Sequence, residues 1–402
     1  MNPACSVKEY EKGKLSKMKK AVTFGEIMLR LQPPSYERFL QAKSFDAVYG
    51  GGEANVAVSL SQLGAEAKFV TRLPANPLGV ACRNYLRGWG VDTSDIVFGG
   101  DRIGIYFCEK GASQRPSNVV YDRAGSSAAT ASRADYDWER ILDGASWFHF
   151  TGITPALGGE NPAIVLDACE TAKRKGVTVS CDLNYRKKLW TREQAREVME
   201  KLCGYVDVLI ANEEDSADVF GIRARGSDIE GGTLSAEGYA DVARQLTERF
   251  GLTAAAITLR ESISASVNGW SGMLYTGGQA YLSTKYNIHI VDRVGGGDSF
   301  GAGLIYSLLE GKAPQDASSS PSPLPASSIR WRATATSPPP RRSSRWSKTA
   351  AAAACSGKCA RLTGRPGCSA GRPWTGSRLR RWPCSASAAW GAMPPRHWPA
   401  PA

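Results

Sequence analysis

The sequence predicts an α/β protein: a doubly wound, mostly parallel sheet flanked by helices, with a small β-sheet lid. Three observations carry this. Short apolar runs alternate with stretches of helical apolar period along most of the chain. The helical stretches close on stop signals such as Gly64. Two segments, 42–49 and 103–121, alternate apolar and polar residues with no helix between them, which is the period of a half-buried antiparallel sheet.

Taken in order, Ala21–Arg30 (AVTFGEIMLR) reads as one strand and Glu53–Leu63 as a helix. Ala67–Leu73 is strand-like again. Ser146–Gly152, Val177–Leu183, Val206–Ala211 and Ala254–Leu259 are further buried strands, separated by the helices Pro162–Lys175, Thr191–Cys203 and Ser235–Phe250. Such βα alternation places ligands outside the carboxyl ends of the strands.

Composition excludes several classes. The 402 residues are 42% hydrophobic and 22% charged, and no apolar run nears the roughly 18 residues of a membrane span. Met1–Lys20 is basic and lacks an apolar segment, so it is not a secretory signal. Residues 1–18 read as an N-terminal extension, with Met18 as the natural start. The formal net charge is +12, yet Ser318–Ala402 alone holds 14 Lys and Arg and no Asp or Glu. The rest of the chain carries 36 basic and 38 acidic residues, so it has no nucleic-acid charge signature. A rival reading, a nucleic-acid binder, rests on the Trp- and Arg-rich tail alone. Six of ten cysteines precede the tail, without a CxxC pair, and only three histidines occur. Metal-ligand spacing is therefore absent, and scattered thiols fit a reducing cytoplasm.

The main body thus spans residues 19–317, with lid strands at 42–49 and 103–121, and 318–402 is a separate segment. After Ala317 the chain has no Val, Phe, Tyr, Asn, Gln, Asp or Glu, yet holds six of eleven Trp. Disordered tails are instead rich in Glu, Gln, Lys and Ser. A GC-rich gene read out of frame gives this mixture. Shifting Ser318–Thr336 by one base allows L-E-F-A-V-A-A, then K-H, then G-D-x-N, whose first part continues a helix through Asp316–Ala317.

Asp292–Gly303 (DRVGGGDSFGAG) is the strongest chemical signal. Glycines let backbone N–H groups approach a transferring phosphoryl group, and the helix start from about Ser299 adds a favourable dipole. Asp298 stands there as a base for an acceptor hydroxyl, with the amides of Gly295, Gly296 and Gly297 beside it. A Gly-rich turn with Asp298 as plain N-cap is the structural alternative. Gly50–Ala57 (GGGEANVA) lies upstream between a strand and a helix. There is no Walker A motif. A lid suits phosphoryl transfer because water would compete as acceptor. Arg186, in DLNYR at a strand end, offers a bidentate fork for a carboxylate.

The two glycine motifs resemble the paired signatures of the pfkB (ribokinase-like) carbohydrate kinases, and the chain from Lys19 to Ala317 is similar to their 2-keto-3-deoxygluconate kinase branch. The resemblance implies a cytoplasmic enzyme that uses ATP and Mg²⁺ to phosphorylate the sugar acid 2-dehydro-3-deoxy-D-gluconate to its 6-phosphate, in an Entner–Doudoroff or uronate route. It implies that Gly51, Gly52 and Asn55 hold the sugar, and that Tyr106, Tyr121, Arg123 and Arg186 bind the keto acid. It gives Asn184, Thr258, Arg260, Gly295 and Gly297 to ATP. Asn212–Asp215 (NEED) matches the motif that positions Mg²⁺ through water, with Asp215 where the family has Glu; Glu214 could substitute, and an acidic helix start is the alternative. Two arginines suit an acidic sugar, whereas a fructokinase- or ribokinase-like specificity is the rival within the family. Members of the family commonly assemble as homo-oligomers through the lid.

Overall fold

The computed structural model describes residues 19–224, 236–262, 267–289, 292 and 294–319, with 260–262 and 288–289 as backbone only. The N-terminal extension and the tail beyond residue 319 lie outside the described residues. Strands are β1 (Lys20–Phe24), β2 (Met28–Gln32), β3 (Asp46–Gly50), β4 (Glu66–Val70), β5 (Arg72–Leu73), β6 (Val97–Phe98), β7 (Ile105–Glu109), β8 (Asn118–Asp122), β9 (Ala145–Thr151), β10 (Thr178–Asp182), β11 (Val208–Ala211), β12 (Ala254–Ser262), β13 (Val267–Thr276), β14 (Gln279–Leu282) and β15 (Tyr286–His289). Helices are α1 (Gly52–Leu63), α2 (Pro77–Gly88), α3 (Trp138–Ile141), α4 (Ile153–Ala156), α5 (Asn161–Arg174), α6 (Arg192–Cys203), α7 (Glu213–Phe220), α8 (Ala236–Phe250), α9 (Gly296–Leu309) and α10 (Pro314–Ser318).

The main sheet runs β14-β13-β12-β11-β10-β9-β1-β4, with β15 also on β13. From β4 to β12 every pair is parallel, and β13 to β15 add an antiparallel edge that the sequence reading did not separate. The parallel strands are continuous apolar runs because both faces are covered. Strand alternation divides them cleanly: Val22, Phe148, Leu209 and Ala255 face one core with α5, α6 and α8. Ala21, Trp147, Ile210 and Ala256 face the other core with α1, α2 and α9. No described helix is long and apolar enough to cross a membrane.

A second sheet, β3-β2-β7-β8, forms the lid. Its two outer pairs are antiparallel, but β2 and β7 run parallel, so the lid is mixed rather than antiparallel. The expected single strand Ala21–Arg30 is two strands in different sheets. The break falls at Gly25, where a β-carbon would overlap the Glu53 carboxyl group. Gly25 N donates to Val70 O at 3.3 Å, and the chain then leaves the main sheet for the lid. Ala67–Leu73 likewise divides at Thr71: β4 pairs with β1, whereas β5 pairs with β6. Gly64 closes α1 in the left-handed region at φ 99, as its position in the sequence indicated.

Gly25→Ala forces either Glu53 or the β1–β2 corner to move. It should destabilise the fold by about 1–3 kcal/mol. A thermal melt with an unchanged midpoint would contradict this.

Candidate active site

The carboxyl ends of β10 and β11, the first turns of α1 and α9, and the inner face of the lid enclose a cleft of about 720 Å³. Nearly every residue singled out in the sequence lines it: Gly51, Gly52, Asn55, Tyr106, Tyr121, Arg123, Asn184, Arg186, Asn212, Asp215, Thr258, Gly295, Gly296, Gly297 and Asp298. The Arg260 side chain and Arg293 lie outside the described residues.

Gly295 is the N-cap of α9, held at φ 90, where glycine is favoured. The first i→i−4 bond of the helix is Ser299 N to Gly295 O, 3.0 Å, so the amides of Gly296, Gly297 and Asp298 precede the hydrogen-bonded ladder. No atom would stand within 4 Å of a β-carbon at Gly297. The backbone here is therefore open to a close-lying anion. Asp298 lies in the first turn and is not the N-cap; the helix starts three residues before the expected Ser299. Its Oδ2 accepts from Asn55 Nδ2 at 2.6 Å. Burial pushes its carboxyl up to about 6, against the opposing pull of Asn55 and the Arg186 guanidinium.

Packing requires glycine at the N-cap Gly51, whereas Gly52 has ordinary room. A β-carbon at Gly51 would overlap Glu26 O, and one at Gly52 would stand 3.7 Å from Asp298 Oδ1. Asn55 is brought under Asp298 by a close backbone approach at Gly51 that a side chain there would block.

Asn212 caps α7: its Oδ1 accepts from Asp215 N at 2.7 Å, and its Nδ2 donates to Asp215 Oδ2 at 3.0 Å. The acidic helix start offered as the alternative is present, with Glu213, Glu214 and Asp215 in the first turn, and Asn212 and Asp215 also line the cleft. Burial raises Asp215 to about 6. Among the described residues, no three His, Cys, Asp or Glu side chains gather closely enough to hold a metal ion. Asn184 adopts φ 38, a left-handed conformation that Asn tolerates. Thr258 Oγ1 donates to Ala211 O at 3.4 Å, at the edge of the cleft.

The two arginines differ. Arg123 already has a partner: its Nε and Nη2 both donate to Glu26 Oε2, the former at 2.8 Å. Its Nε–Nη2 edge is therefore taken by Glu26, while the residue still lines the cleft. Arg186 is exposed, and its Nη1 donates only to Tyr185 O at 3.3 Å among the contacts described. It draws down three cleft carboxyls, Asp182, Asp215 and Asp298.

Sequence reasoning missed Asp182, which ends β10 and faces the cleft. Burial, then its neighbours Asp215 and Asp298, push its carboxyl well up. Its place at the head of DLNYR was the available signal. Glu53 was missed as well. It is 1% exposed and accepts from Thr151 N and the hydroxyls of Thr151 and Thr154. Trp270, within 3.5 Å of a β-carbon placed at Gly296, comes from the antiparallel edge and carried no motif.

Residues 18–324 match the model of the pfkB family carbohydrate kinases. The chain belongs to that family. A crystallised 2-dehydro-3-deoxygluconokinase of Thermotoga maritima is 57% identical, with a TM-score of 0.72, over 75% of this chain and 89% of that one. A 2-dehydro-3-deoxygalactonokinase of Haloferax volcanii is 35% identical over 74% of this chain and 86% of that protein. A 2-dehydro-3-deoxygluconokinase of Bacillus subtilis is 28% identical over 74% of this chain and 85% of that protein. As a pfkB carbohydrate kinase, the chain has the ribokinase-like fold expected from its sequence.

As a candidate base for phosphoryl transfer, Asp298 would have to be ionised to accept a proton. Asp298→Asn should lower turnover by about 10²–10⁴-fold. Turnover of the parent should fall as pH drops through about 6, the value to which Asp298 is raised. Because the folded state binds that proton more tightly than the unfolded chain, ionisation costs stability above pH 6, and the cost vanishes below the ordinary carboxylate range. Asn cannot ionise, so the variant should melt higher than the parent at pH 7–8. An active variant, or one that melts lower, would contradict the assignment.

Proposed function

We propose that the chain transfers the γ-phosphoryl group of ATP to the 6-hydroxyl of 2-dehydro-3-deoxy-D-gluconate, giving the 6-phosphate and ADP. The observation that carries this reading is Asp298, a raised carboxyl held by Asn55 at the open first turn of α9. Asp298 takes the proton of the attacking hydroxyl as the oxygen bonds to phosphorus and the ADP oxygen leaves. The Gly295–Gly297 amides face the charge on the transferring group. Asn55 orients both the base and the sugar, with Gly51 and Gly52 beneath it.

Arg186 takes the acid's carboxylate, since its fork is the one exposed to the cleft. Arg123 holds Tyr121 from behind, its guanidinium 5.6 Å from that ring's centre, and Tyr106 and Tyr121 wall the sugar. Thr258, Asn184 and Arg260 belong to the nucleotide side. The cleft carboxyls suit a cation: burial raises both, with Asp215 and Asp298 adding to it at Asp182, and Glu214 and Asp218 at Asp215, a state that a positive charge relieves. Asn212 and Asp215, with Glu214, would hold it through water, and it would neutralise phosphate charge. Five described cysteines are free and buried, which supports a cytoplasmic setting, and the phosphorylated sugar acid is a product that an Entner–Doudoroff or uronate route would consume. The relative with the higher identity is named for the gluconate epimer, and we assign that epimer here.

Coupled ADP release with 2-dehydro-3-deoxygluconate, its galactonate epimer, fructose and ribose tests the assignment. One charged hydrogen bond separates acid from neutral sugar, so kcat/KM should favour the keto acids by about 10- to 100-fold. Preference for fructose or ribose would overturn it.

We also propose that residues 318–402 arise from a one-base shift after Ala317, within an otherwise ordinary kinase domain over 19–317. Restoring the frame should raise both soluble yield and turnover relative to the 402-residue chain. Equal turnover of the two would remove the idea.

A further inference from the structure

Arg30 stands outside the cleft, yet it connects the cleft's two halves. It lies on β2 in register with Val48 on β3 and Tyr106 on β7, and Tyr106 is in turn opposite Tyr121 on β8. Residues directly opposite one another share a face. Arg30 therefore belongs to the row that presents both tyrosines to the cleft. It is 1% exposed. From the lid its guanidinium reaches across 262 residues of sequence: Nη1 donates to Asp292 Oδ2 at 2.7 Å and Nη2 to Asp292 Oδ1 at 3.1 Å. Nη2 also meets Gln32 Oε1 and the Cys108 sulfur, while Nε is buried without a partner.

Asp292 opens the glycine turn. Its Oδ1 accepts from Val294 N at 3.1 Å, one residue before the N-cap Gly295. Val294 packs on the lid patch formed by Met28, Tyr106 and Cys108. The turn that shapes the first amides of α9 is thus gripped from the lid by a two-point ion pair and an apolar contact. A buried pair of this kind adds little net stability, but it fixes geometry in two dimensions.

We propose that Arg30 is a positioning residue for phosphoryl transfer, holding the glycine turn through Asp292 so that sugar under the lid and nucleotide over the turn favour each other's binding. The identity of the two ligands rests on the kinase reading above; the grip on the turn does not.

Hydrogen exchange on the ligand-free full-length chain tests the grip, with Arg30→Lys, Arg30→Met and Asp292→Asn. In the Met and Asn variants, amides 294–300 should exchange about tenfold faster or more, while β9 to β11 keep the parent rates. The Lys variant, which retains charge but not the fork, should fall between. The second readout is the Kd of a non-hydrolysable ATP analogue with Mg²⁺, with and without 2-dehydro-3-deoxygluconate. The parent should bind the analogue about fivefold tighter or more when the keto acid is present. Arg30→Met should lose that gain, and its turnover should fall by about 100-fold as the turn is misplaced. Unchanged exchange at 294–300 would overturn the proposal. So would faster exchange throughout β9 to β11, which marks a purely structural residue, or coupling that survives Arg30→Met. A keto acid that fails to bind the parent, with the exchange effect intact, would remove the substrate assignment and leave the positioning role standing.

Discussion

The hydrogen bond from Asn55 to Asp298 joins the first turns of two helices that share one face of the sheet. Much of the site's geometry follows from it. Both helices must bring their N-terminal ends to one point, so each is preceded by glycine, and each glycine has a distinct reason. Gly51 lets α1 pass against the backbone of Glu26, and Gly295 supplies a left-handed corner before α9. The helix dipole and Asn55 favour the ionised carboxylate, but burial outweighs them. The result is a carboxyl pushed up to about 6, which suits the role of base proposed for it.

The cleft is electrostatically unbalanced without ligands. Asp182, Asp215 and Asp298 all gain from the charge of Arg186, while Arg123 is engaged by Glu26. The nucleotide proposed above would bring more negative charge still, which the open amides of α9 and the proposed divalent cation would offset. The same imbalance makes the site a source of instability in the free protein, a common cost of preorganised charge.

What was legible in the sequence was local chemistry. Each glycine turn and the helix start beside it act within a few positions, so spacing displayed Asp298 next to Gly295–Gly297, whereas Asn55, 243 residues from Asp298, was carried by the family resemblance. The βα alternation was legible because strands buried on both faces are continuous apolar runs. What stayed hidden depends on contacts far apart in sequence. The pairing of Arg123 with Glu26 was not visible because the two are 97 residues apart. Arg30 looked like part of the first strand because only packing at Gly25, against a carboxyl group from α1, ends that strand. The antiparallel edge of β13 to β15 was hidden because β12 ends in a mixed polar segment that resembles a loop.

The boundary at Ser318 can be argued in the same terms. A chain that passes from a folded domain into a natural tail does so at an exposed, polar position. Here the change in composition begins inside a packed element: Ala317 and Ser318 in α10 are both 0% exposed. Gln315 Nε2 donates to Leu282 O at 2.8 Å, which fixes α10 against the sheet edge. At the fully buried position of Ser318 the shifted frame allows an apolar residue, leucine among them, and at the half-exposed position of Ser319 it allows a glutamate. Nearby, Leu282 and Tyr286 stand 45% and 39% exposed, apolar surface of the kind that further helical chain covers. Burial, polarity and exposure at this edge all favour continuation of the domain in the other frame over an ordinary linker.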